Sequence, residues 1–430
     1  MWLPREISSR VLELSASFPA LIVTGARQTG KTSLLRRLFP DHDYVSLDLR
    51  ALAEEAELSP TSFLETHPPP VLIDEVQYAP GLFRHLKVAI DEHRAAKGRF
   101  VLTGSQKFTL MKEVSDSLAG RCALLSLPGL TVREIRASGW KPEGLDAQAE
   151  LLLRGGFPEL WAERSIPARE FYQSYVATYL ERDLRQVLRV GNLRDFERFL
   201  RACAARSSQV LNRSELARDV GISQPTASEW ISALEASNQI TLLEPYFANV
   251  GKRLVKSPKL YFNDTGLLCF LLGMSPESLG PSALTGAIWE TFVFAELTRW
   301  LDLYQPEWTI WFYRDQQQRE ADFLIQGPWH RVRVLDAKWS ESPREDAFSP
   351  LAEIAELLTR AKGITDTEIA IVTRGATNHG LGDRRSLVSA FEVDGYLGAG
   401  SGGKTARAPS PATSARKPKS PRNDRTGGEG

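Results

Sequence analysis

Hydrophobic and polar positions follow two different periods in the first 130 residues of the chain. The apolar run Ala20–Gly25 predicts a buried strand, and leucines 34, 35 and 38 give Lys31–Phe39 the stripe of an amphipathic helix. Two more apolar runs, Pro68–Gln77 and Arg99–Gln106, predict strands, and an amphipathic helix that ends at Gly98 is predicted between them. Strands that alternate with helices in this way predict a parallel sheet covered on both faces.

The turn between the first predicted strand and its helix carries a phosphate-binding motif. It reads "GARQTGKT" and fits G-x-x-x-x-G-K-[ST], in which backbone amides and a helix N-terminus hold phosphate groups. We expect Lys31 to reach the β- and γ-phosphates and the Thr32 hydroxyl to ligate Mg²⁺. The predicted nucleotide-binding residues are Gly25, Ala26, Arg27, Gln28, Thr29, Gly30, Lys31 and Thr32.

A second match to the same pattern, "GAGSGGKT" over Gly398–Thr405, has a different context. The residues that follow it contain repeated prolines, which exclude the helix that a phosphate loop needs. We therefore interpret this match as a coincidence in a segment rich in Gly and Ser. Residues 397–430 are predicted to be a disordered basic tail.

Acidic and hydroxyl residues follow the next two predicted strands. We expect Asp74 to hold the Mg²⁺ of ATP and Glu75 to activate the attacking water. Ser105, or with less support Thr103, is placed to contact the γ-phosphate or the water. Arg121 is a candidate catalytic arginine, for a phosphate of its own chain or of a neighbouring subunit, and its alternative is a surface ion pair.

The middle of the chain has the pattern of a winged helix. Two short helices within Ser214–Ile240 are predicted, with Ser214 and Ser223 as N-caps and Gly221 in the turn. An alternating segment, which predicts a β-wing, follows them.

DNA contact and a structural or docking role both remain open for this winged helix. Its second helix, Gln224–Ala236, contains two glutamates and no Lys or Arg, unlike helices that read a DNA groove. The predicted wing supplies a modest basic patch made of Lys252, Arg253, Lys256 and Lys259.

Carboxylates in the last third have the order found in the PD-(D/E)xK nuclease core. Glu290, with Glu296 in reserve, lies on a predicted helix, Asp322 lies on a predicted strand, and Asp336 and Lys338 lie two apart on the next. In such a core, carboxylates bind a divalent metal and the lysine positions or deprotonates water. Two departures leave a catalytically silent fold open, because no proline precedes Asp322 and Asp336 stands where Glu is commoner.

Composition and charge place limits on the partners of this chain. The 53 basic and 53 acidic residues balance, but the tail after Leu397 has seven basic and two acidic residues, so the body is mildly acidic. An acidic body argues against binding nucleic acid over the whole surface. No apolar run is long enough to span a membrane, and three scattered cysteines fit a reducing compartment, so we expect a cytoplasmic protein.

Together these segments resemble the prokaryotic AAA-type ATPases that carry a C-terminal domain of unassigned function. The resemblance extends from about Trp2 to Val393 and is carried by several segments, "TGARQTGKTSLL", "VLIDEVQ", "VLTGSQ", "SLAGR", "LLRGGFPEL", "PKLYFNDTGLLCFLLG", "GAIWETFVFAEL" and "FYRDQQQREADFLI". It implies an AAA-type nucleotide site, with Lys31, Thr32, Asp74 and Glu75 at the motif positions. The preference for ATP over GTP is implied by the resemblance alone.

The expected fold class is α/β, with an AAA-type P-loop sheet, a helical and winged-helix region, and a restriction-endonuclease-like domain. The expected boundaries are 1–150 for the ATP-binding domain, 151–275 for the linker and winged helix, 276–396 for the nuclease-like domain and 397–430 for the tail. We expect an ATPase that uses ATP and Mg²⁺ and is coupled to a module that processes nucleic acid. The alternative is an ATP-dependent switch that binds DNA, a protein partner or another copy of itself, and in which the nuclease-like domain is silent.

Overall fold

A computed structural model of the chain describes residues 1–105, 117–180, 193–246, 257–315, 317–362, 364, 366–382 and 384–399. Three of the predicted wing cations, Lys252, Arg253 and Lys256, lie outside these residues, as does the tail from residue 400 onward. The second phosphate-motif match begins at Gly398, within the helix Val393–Ala399. The described residues that lead into this match thus form a helix, whereas a strand leads into the first match.

A parallel five-stranded sheet forms the N-terminal region. Its order is β2–β3–β4–β1–β5, and every neighbouring pair of strands is parallel. The strands are β1 Ala20–Thr24, β2 Asp43–Ser46, β3 Val71–Asp74, β4 Phe100–Gly104 and β5 Cys122–Ser126. Alternate residues of β1 pack into separate cores, Ala20 and Ile22 on one face and Leu21 and Val23 on the other. The predicted α/β class with both sheet faces covered is confirmed.

Helices pack on both faces of this sheet. They are Ser8–Ser17, Lys31–Leu38, Arg50–Leu58, Pro60–Thr66 and Leu82–Glu92, with a 3-10 turn at Val76–Tyr78. The short helix Val132–Arg136 packs instead with residues of the middle and C-terminal regions. The prediction that one helix ends at Gly98 is wrong, since that helix ends at Glu92. The chain turns after His93, and the Gly98 amide donates to the Phe18 carbonyl at 2.9 Å, which ties this segment to the entrance of β1.

The middle region contains short helices and a small antiparallel sheet. The helices are Gly144–Arg154, Pro158–Ala162, Ala168–Tyr175, Leu193–Ala204, Arg213–Val220, Gln224–Ala236, Thr265–Leu271 and Pro276–Leu279, with a π-helical turn at Val176–Leu180. The sheet has the order β6–β8–β7, formed by β6 Gln209–Val210, β7 Ile240–Leu243 and β8 Lys259–Phe262.

Two of these helices occupy the predicted helix-turn-helix. Gly221 adopts a φ of 82° in the turn, and the Ser223 hydroxyl caps the second helix. The predicted N-cap Ser214 is wrong, because the Asn212 side chain accepts the Glu215 amide at 3.1 Å and the first helix therefore begins two residues earlier. The assignment as a winged helix stays a prediction.

A six-stranded mixed sheet forms the C-terminal region. Its order is β13–β14–β12–β11–β10–β9, with β11, β12 and β14 parallel and the other pairs antiparallel. The strands are β9 Thr309–Arg314, β10 Glu320–Gln326, β11 Arg331–Lys338, β12 Asp366–Thr373, β13 His379–Gly382 and β14 Arg385–Ser389. The helices are Thr285–Tyr304, Ser349–Lys362 and Val393–Ala399, with 3-10 turns at Pro328–His330 and Glu345–Phe348.

The two larger helices lie on opposite faces of this sheet. Leu351 and Ile354 pack with Val334 in one core, whereas Val293 and Leu297 belong to the core on the other face. The second of these cores also includes most of the buried residues of the middle region, so the middle and C-terminal regions share one apolar interior.

Candidate functional site

The predicted phosphate loop connects β1 to the helix Lys31–Leu38. That helix begins after Gly30, which has a φ of 87° and provides no side-chain cap. No N-cap side chain therefore covers this helix N-terminus, where backbone amides can bind an anion. The Lys31 side chain is buried, and its Nζ donates to the Gly25 and Ala26 carbonyls at 3.0 and 2.9 Å. The ammonium group thus lies inside the curve of the loop.

Gly25 cannot be replaced in this loop without a steric clash. Its φ is 145°, and a Cβ atom there would lie 2.4 Å from the Leu127 carbonyl oxygen. The loop therefore leaves β1 in close contact with the backbone that follows β5, and only glycine permits that approach.

Three oxygen-bearing side chains converge on Asp74 at the end of β3. The Thr32 hydroxyl donates to the Asp74 carboxylate at 2.8 Å, Tyr44 Oη donates at 3.1 Å, and Thr103 also donates to it. Burial and then the Asp74 carboxylate raise the pKa of Tyr44, which keeps this phenol in its donor form. Thr32 and Asp74 together form the kind of oxygen-donor pair that Mg²⁺ prefers. The residues of the predicted Mg²⁺ site therefore fit the ion chemically.

Glu75 lies next to this pair in a left-handed backbone conformation, with a φ of 56°. Its amide donates to the Thr103 hydroxyl at 3.2 Å, and its carboxylate accepts hydrogen bonds from Ser105 Oγ at 3.0 Å and from the Gln77 amide group. Because β1, β3 and β4 are neighbours and parallel, their carboxyl ends bring the loop, Asp74, Glu75 and Ser105 to one edge of the sheet.

Arg5 supports the phosphate loop from beneath and was not identified from the sequence. This buried side chain donates to the Thr29 carbonyl at 2.8 Å and to the Pro128 carbonyl at 2.7 Å. It also forms an ion pair with Glu134 at 3.1 Å, and both side chains are 4% exposed. Nothing in the local pattern around Arg5 predicts these contacts, whereas Gln77 lies inside the quoted "VLIDEVQ" segment and could have been considered.

Residues 130–134, which include the Arg5 partner Glu134, also contact the C-terminal region. The Val132 amide donates to Glu296 Oε2 at 3.1 Å, and Arg299 donates to the Leu130 carbonyl at 2.8 Å and to Glu296 Oε1 at 3.0 Å. Residues 130–134 thus connect the phosphate loop, through Arg5, to the helix Thr285–Tyr304.

Arg121 lies away from these residues. It precedes β5, which pairs with β1 in the register Ala20–Cys122, so it lies at the edge of the sheet opposite the loop. Its guanidinium group binds both oxygens of Asp91 at 2.7 and 2.8 Å. This geometry gives no support to a contact with a phosphate of its own chain. The contact with a neighbouring subunit's nucleotide stays a prediction.

The predicted nuclease-like residues meet at the junction of the middle and C-terminal regions, and Lys259 lies among them. Lys259 Nζ is 2.7 Å from Glu320 Oε1, 3.0 Å from Glu290 Oε1 and 3.4 Å from Asp322 Oδ1. The proposal that Lys259 belongs to an exposed basic wing is wrong, because its side chain is only 3% exposed and is surrounded by carboxylates.

Asp336 and Lys338 lie beside this cluster on β11. Lys338 Nζ is 2.7 Å from Asp336 Oδ2, Asp336 Oδ1 accepts the Asp322 amide at 3.3 Å, and Asp322 accepts the Ala337 amide at 2.9 Å. Four carboxyl groups therefore face two ammonium groups. Burial and then Asp322 raise the pKa of both Asp336 and Glu290, as expected where negative charge is in excess.

The carboxylates of this cluster do not form a ready-made metal site within the described part of the chain. There, no three or more His, Cys, Asp or Glu side chains are arranged to hold a metal ion. The reserve candidate, Glu296, lies apart from the cluster in the contact with Val132 described above.

Comparison with known proteins identifies three successive domains. Residues 17–136 match the family model of an AAA domain, residues 145–278 match a domain of unknown function, DUF8612, and residues 285–392 match another, DUF4143. The uncharacterized proteins Rv2008c of Mycobacterium tuberculosis and Mb2031c of Mycobacterium bovis are each 34% identical over 325 residues, which is 75% of this chain and 71% of each relative. The chain belongs to the family of these two mycobacterial proteins. Its N-terminal region is an AAA-type P-loop ATPase domain, which confirms that part of the resemblance.

Two solved structures have partial similarity to this chain. The Walker-type ATPase PABY2304 of Pyrococcus abyssi is 18% identical, with a TM-score of 0.43 over 63% of this chain and 96% of that chain. The RuvB Holliday junction branch migration motor of Thermotoga maritima is 17% identical, with a TM-score of 0.31 over 56% of this chain and 89% of that one. Within the described ranges, no helix combines the length and apolar character needed to cross a bilayer.

Proposed function

We propose that the protein is a Mg²⁺-dependent ATPase that transmits its nucleotide state to the middle and C-terminal regions. One observation carries the proposal: the Thr32 hydroxyl is bound to Asp74, and Glu75 lies directly beside them with its carboxylate held by Ser105. A loop that only binds phosphate would have no need for the oriented carboxylate of Glu75.

Each residue of the loop has a definite role in this proposal. The triphosphate lies against the N-terminus of the helix Lys31–Leu38, and Lys31 exchanges its two carbonyl contacts for phosphate oxygens. Thr32 and Asp74 would hold Mg²⁺, which neutralises charge on the phosphates when it is bound. A cavity of about 680 Å³ borders Gly25, Ala26 and Thr29 and offers a place for the nucleoside.

Glu75 is the proposed general base. Its carboxylate is oriented by Ser105 and Gln77 and takes a proton from the water that attacks the γ-phosphate. Ser105 Oγ lies 3.0 Å from this carboxylate, so it would be within reach of the same water. Arg5 and residues 130–134 offer a route by which a change in the loop would reach Glu296 and the C-terminal region.

Turnover of ATP by purified wild type and Glu75→Gln tests this proposal. Glu75→Gln should lower the turnover rate by about 10²–10⁴-fold, because the amide group cannot accept a proton. Binding of a fluorescent ATP analogue should persist in this variant and be lost in Lys31→Ala. Unchanged turnover in Glu75→Gln would remove Glu75 from the mechanism, and absence of turnover in wild type would reduce the protein to a nucleotide-binding switch.

A metal-dependent nuclease coupled to the ATPase is the second candidate function. The observation that favours it is that Glu290, Asp322, Asp336 and Lys338 lie close together although they come from three separate elements. In this proposal the carboxylates of Glu290, Asp322 and Asp336 would hold the metal, and Lys338 would orient the water. DNA would reach the cluster through the proposed winged helix or the C-terminal region.

Cleavage of single- and double-stranded DNA on gels, with ATP and Mg²⁺ or Mn²⁺, tests the second function. Wild type should cut DNA and Asp336→Ala should not, while the two proteins should turn over ATP at the same rate. If wild type neither cuts DNA nor turns over ATP faster in its presence, the C-terminal region is better explained as a docking domain for a protein partner.

A further inference from the structure

Lys259 occupies the centre of the carboxylate cluster. Its ammonium group lies within 3.4 Å of oxygens from Glu290, Glu320 and Asp322, and it is 5.6 Å from the centroid of the Phe312 ring. Two of these three acids, Glu290 and Asp322, are the residues that a nuclease-like site would use as metal ligands. An internal cation therefore lies where these ligands would meet a divalent ion.

The ammonium group belongs to a different part of the chain from the acids. Lys259 is the first residue of β8 in the middle region, whereas Glu290 lies on the helix Thr285–Tyr304 and Asp322 on β10. Lys259 pairs with Val210 on one side and with Leu243 on the other, so its backbone is fixed in the small antiparallel sheet.

A second donor from β8 reinforces this contact. Tyr261, two residues after Lys259 and therefore on the same face of the strand, donates its hydroxyl to Glu290 Oε1 at 2.6 Å. Both donors thus bind the same oxygen of Glu290, from one face of β8. Tyr261 is fully buried and stacks on Phe294 at a centroid distance of 4.2 Å, which restricts its movement.

We propose that Lys259 acts as a built-in counter-ion that closes the carboxylate cluster to divalent cations while the middle and C-terminal regions are packed together. A metal bound to Glu290 and Asp322 would need oxygen distances of about 2.0–2.6 Å and would have to enter the space that the ammonium group fills. Two cations cannot share that space, so the lysine must leave before a metal binds. The contact is autoinhibitory for any metal-dependent chemistry of the cluster. This autoinhibitory role rests on the second proposed function.

Titration of the full chain with Mn²⁺, without nucleotide, tests this inference by calorimetry and by electron paramagnetic resonance. Up to about 1 mM Mn²⁺, wild type and Asp322→Asn should bind the same amount of the ion, because the cluster of the wild-type protein binds none. Lys259→Met should gain one site, at least about tenfold tighter than any in wild type, and Lys259→Met/Asp322→Asn should lose it. Lys259→Arg keeps the positive charge and should resemble wild type.

Two results would overturn the inference. One is Mn²⁺ binding by wild type that depends on Asp322, and the other is a folded Lys259→Met protein that gains no site. Lys259→Met/Glu320→Gln removes one charge of each sign and gives the same comparison if the single variant does not fold. The measured quantity is metal binding, so this test is separate from the test of nuclease activity. If Lys259→Met binds Mn²⁺ but cuts no DNA, the second proposed function is refuted and the counter-ion role of Lys259 is not.

Discussion

Glu296 makes the stability of the contact between the AAA domain and the C-terminal region depend on pH. Its side chain is 10% exposed and accepts hydrogen bonds from Val132 and Arg299. Burial outweighs the Arg299 charge and the hydrogen bonds and raises the pKa of Glu296 from 4.5 to about 7. The folded chain therefore holds this proton more tightly than the unfolded chain does.

The size and the sign of the effect follow from proton linkage. Between pH 4.5 and about 7 the folded state binds more protons at Glu296 than the unfolded state does, so stability falls as the pH rises through this window. A tenfold change in proton affinity is worth about 1.4 kcal/mol, so the total loss from this carboxyl group is about 3 kcal/mol once the pH exceeds about 8.

Glu296→Gln isolates this contribution because the amide group does not titrate. Hydrogen exchange of the amides of residues 288–301, corrected for the intrinsic pH dependence of exchange, reports the local opening free energy. Between about pH 5 and pH 8, the wild-type value should fall by roughly 2–3 kcal/mol more than the variant's value. The hydrogen bond lost in the variant adds an offset that does not vary with pH.

Glu356→Gln is the matched control for this experiment. Glu356 lies on the helix Ser349–Lys362 with a side chain that is 68% exposed, so its replacement should leave the pH dependence unchanged. A difference between wild type and Glu296→Gln that is constant across the pH range would refute the reasoning.

Three further results are expected. Asp264→Ala removes an acceptor that binds the Gly156 amide, the Leu267 amide and the Tyr172 hydroxyl at 2.7–2.8 Å, so urea unfolding should show a loss of about 3 kcal/mol or more. A loss below about 1 kcal/mol would mean that water replaces these bonds. Gly25→Ala should abolish binding of a fluorescent ATP analogue. Gly286→Ala is the control and should keep this binding, because a Cβ added there meets no atom within 4 Å. Retained binding in Gly25→Ala would show that the loop can shift. Arg121→Ala and Asp91→Ala should leave the ATP turnover of dilute protein unchanged, and a loss at high protein concentration in Arg121→Ala alone would establish contact with a neighbouring subunit's nucleotide.

The nucleotide site could be predicted from the sequence because its parts are contiguous segments with local rules. The motif from Gly25 to Thr32 needs a strand before it and a helix after it, and both are visible as hydrophobic patterns. Asp74 and Ser105 each follow an apolar run, and parallel strands bring their carboxyl ends to one edge. The sheet that does so is present in the structure.

Contacts between distant segments were decided only by the tertiary structure. Arg5 and Glu134 are 129 residues apart, and Val132 and Glu296 are 164 apart, so no local period relates them. The pattern around Lys259 predicts an exposed wing cation, and the fold instead buries it against Glu290 and Asp322. A charged side chain has the same local pattern whether it faces water or a buried carboxylate. The packing of separate elements determines which it meets, and with it the burial and charge on which the chemistry of the site depends.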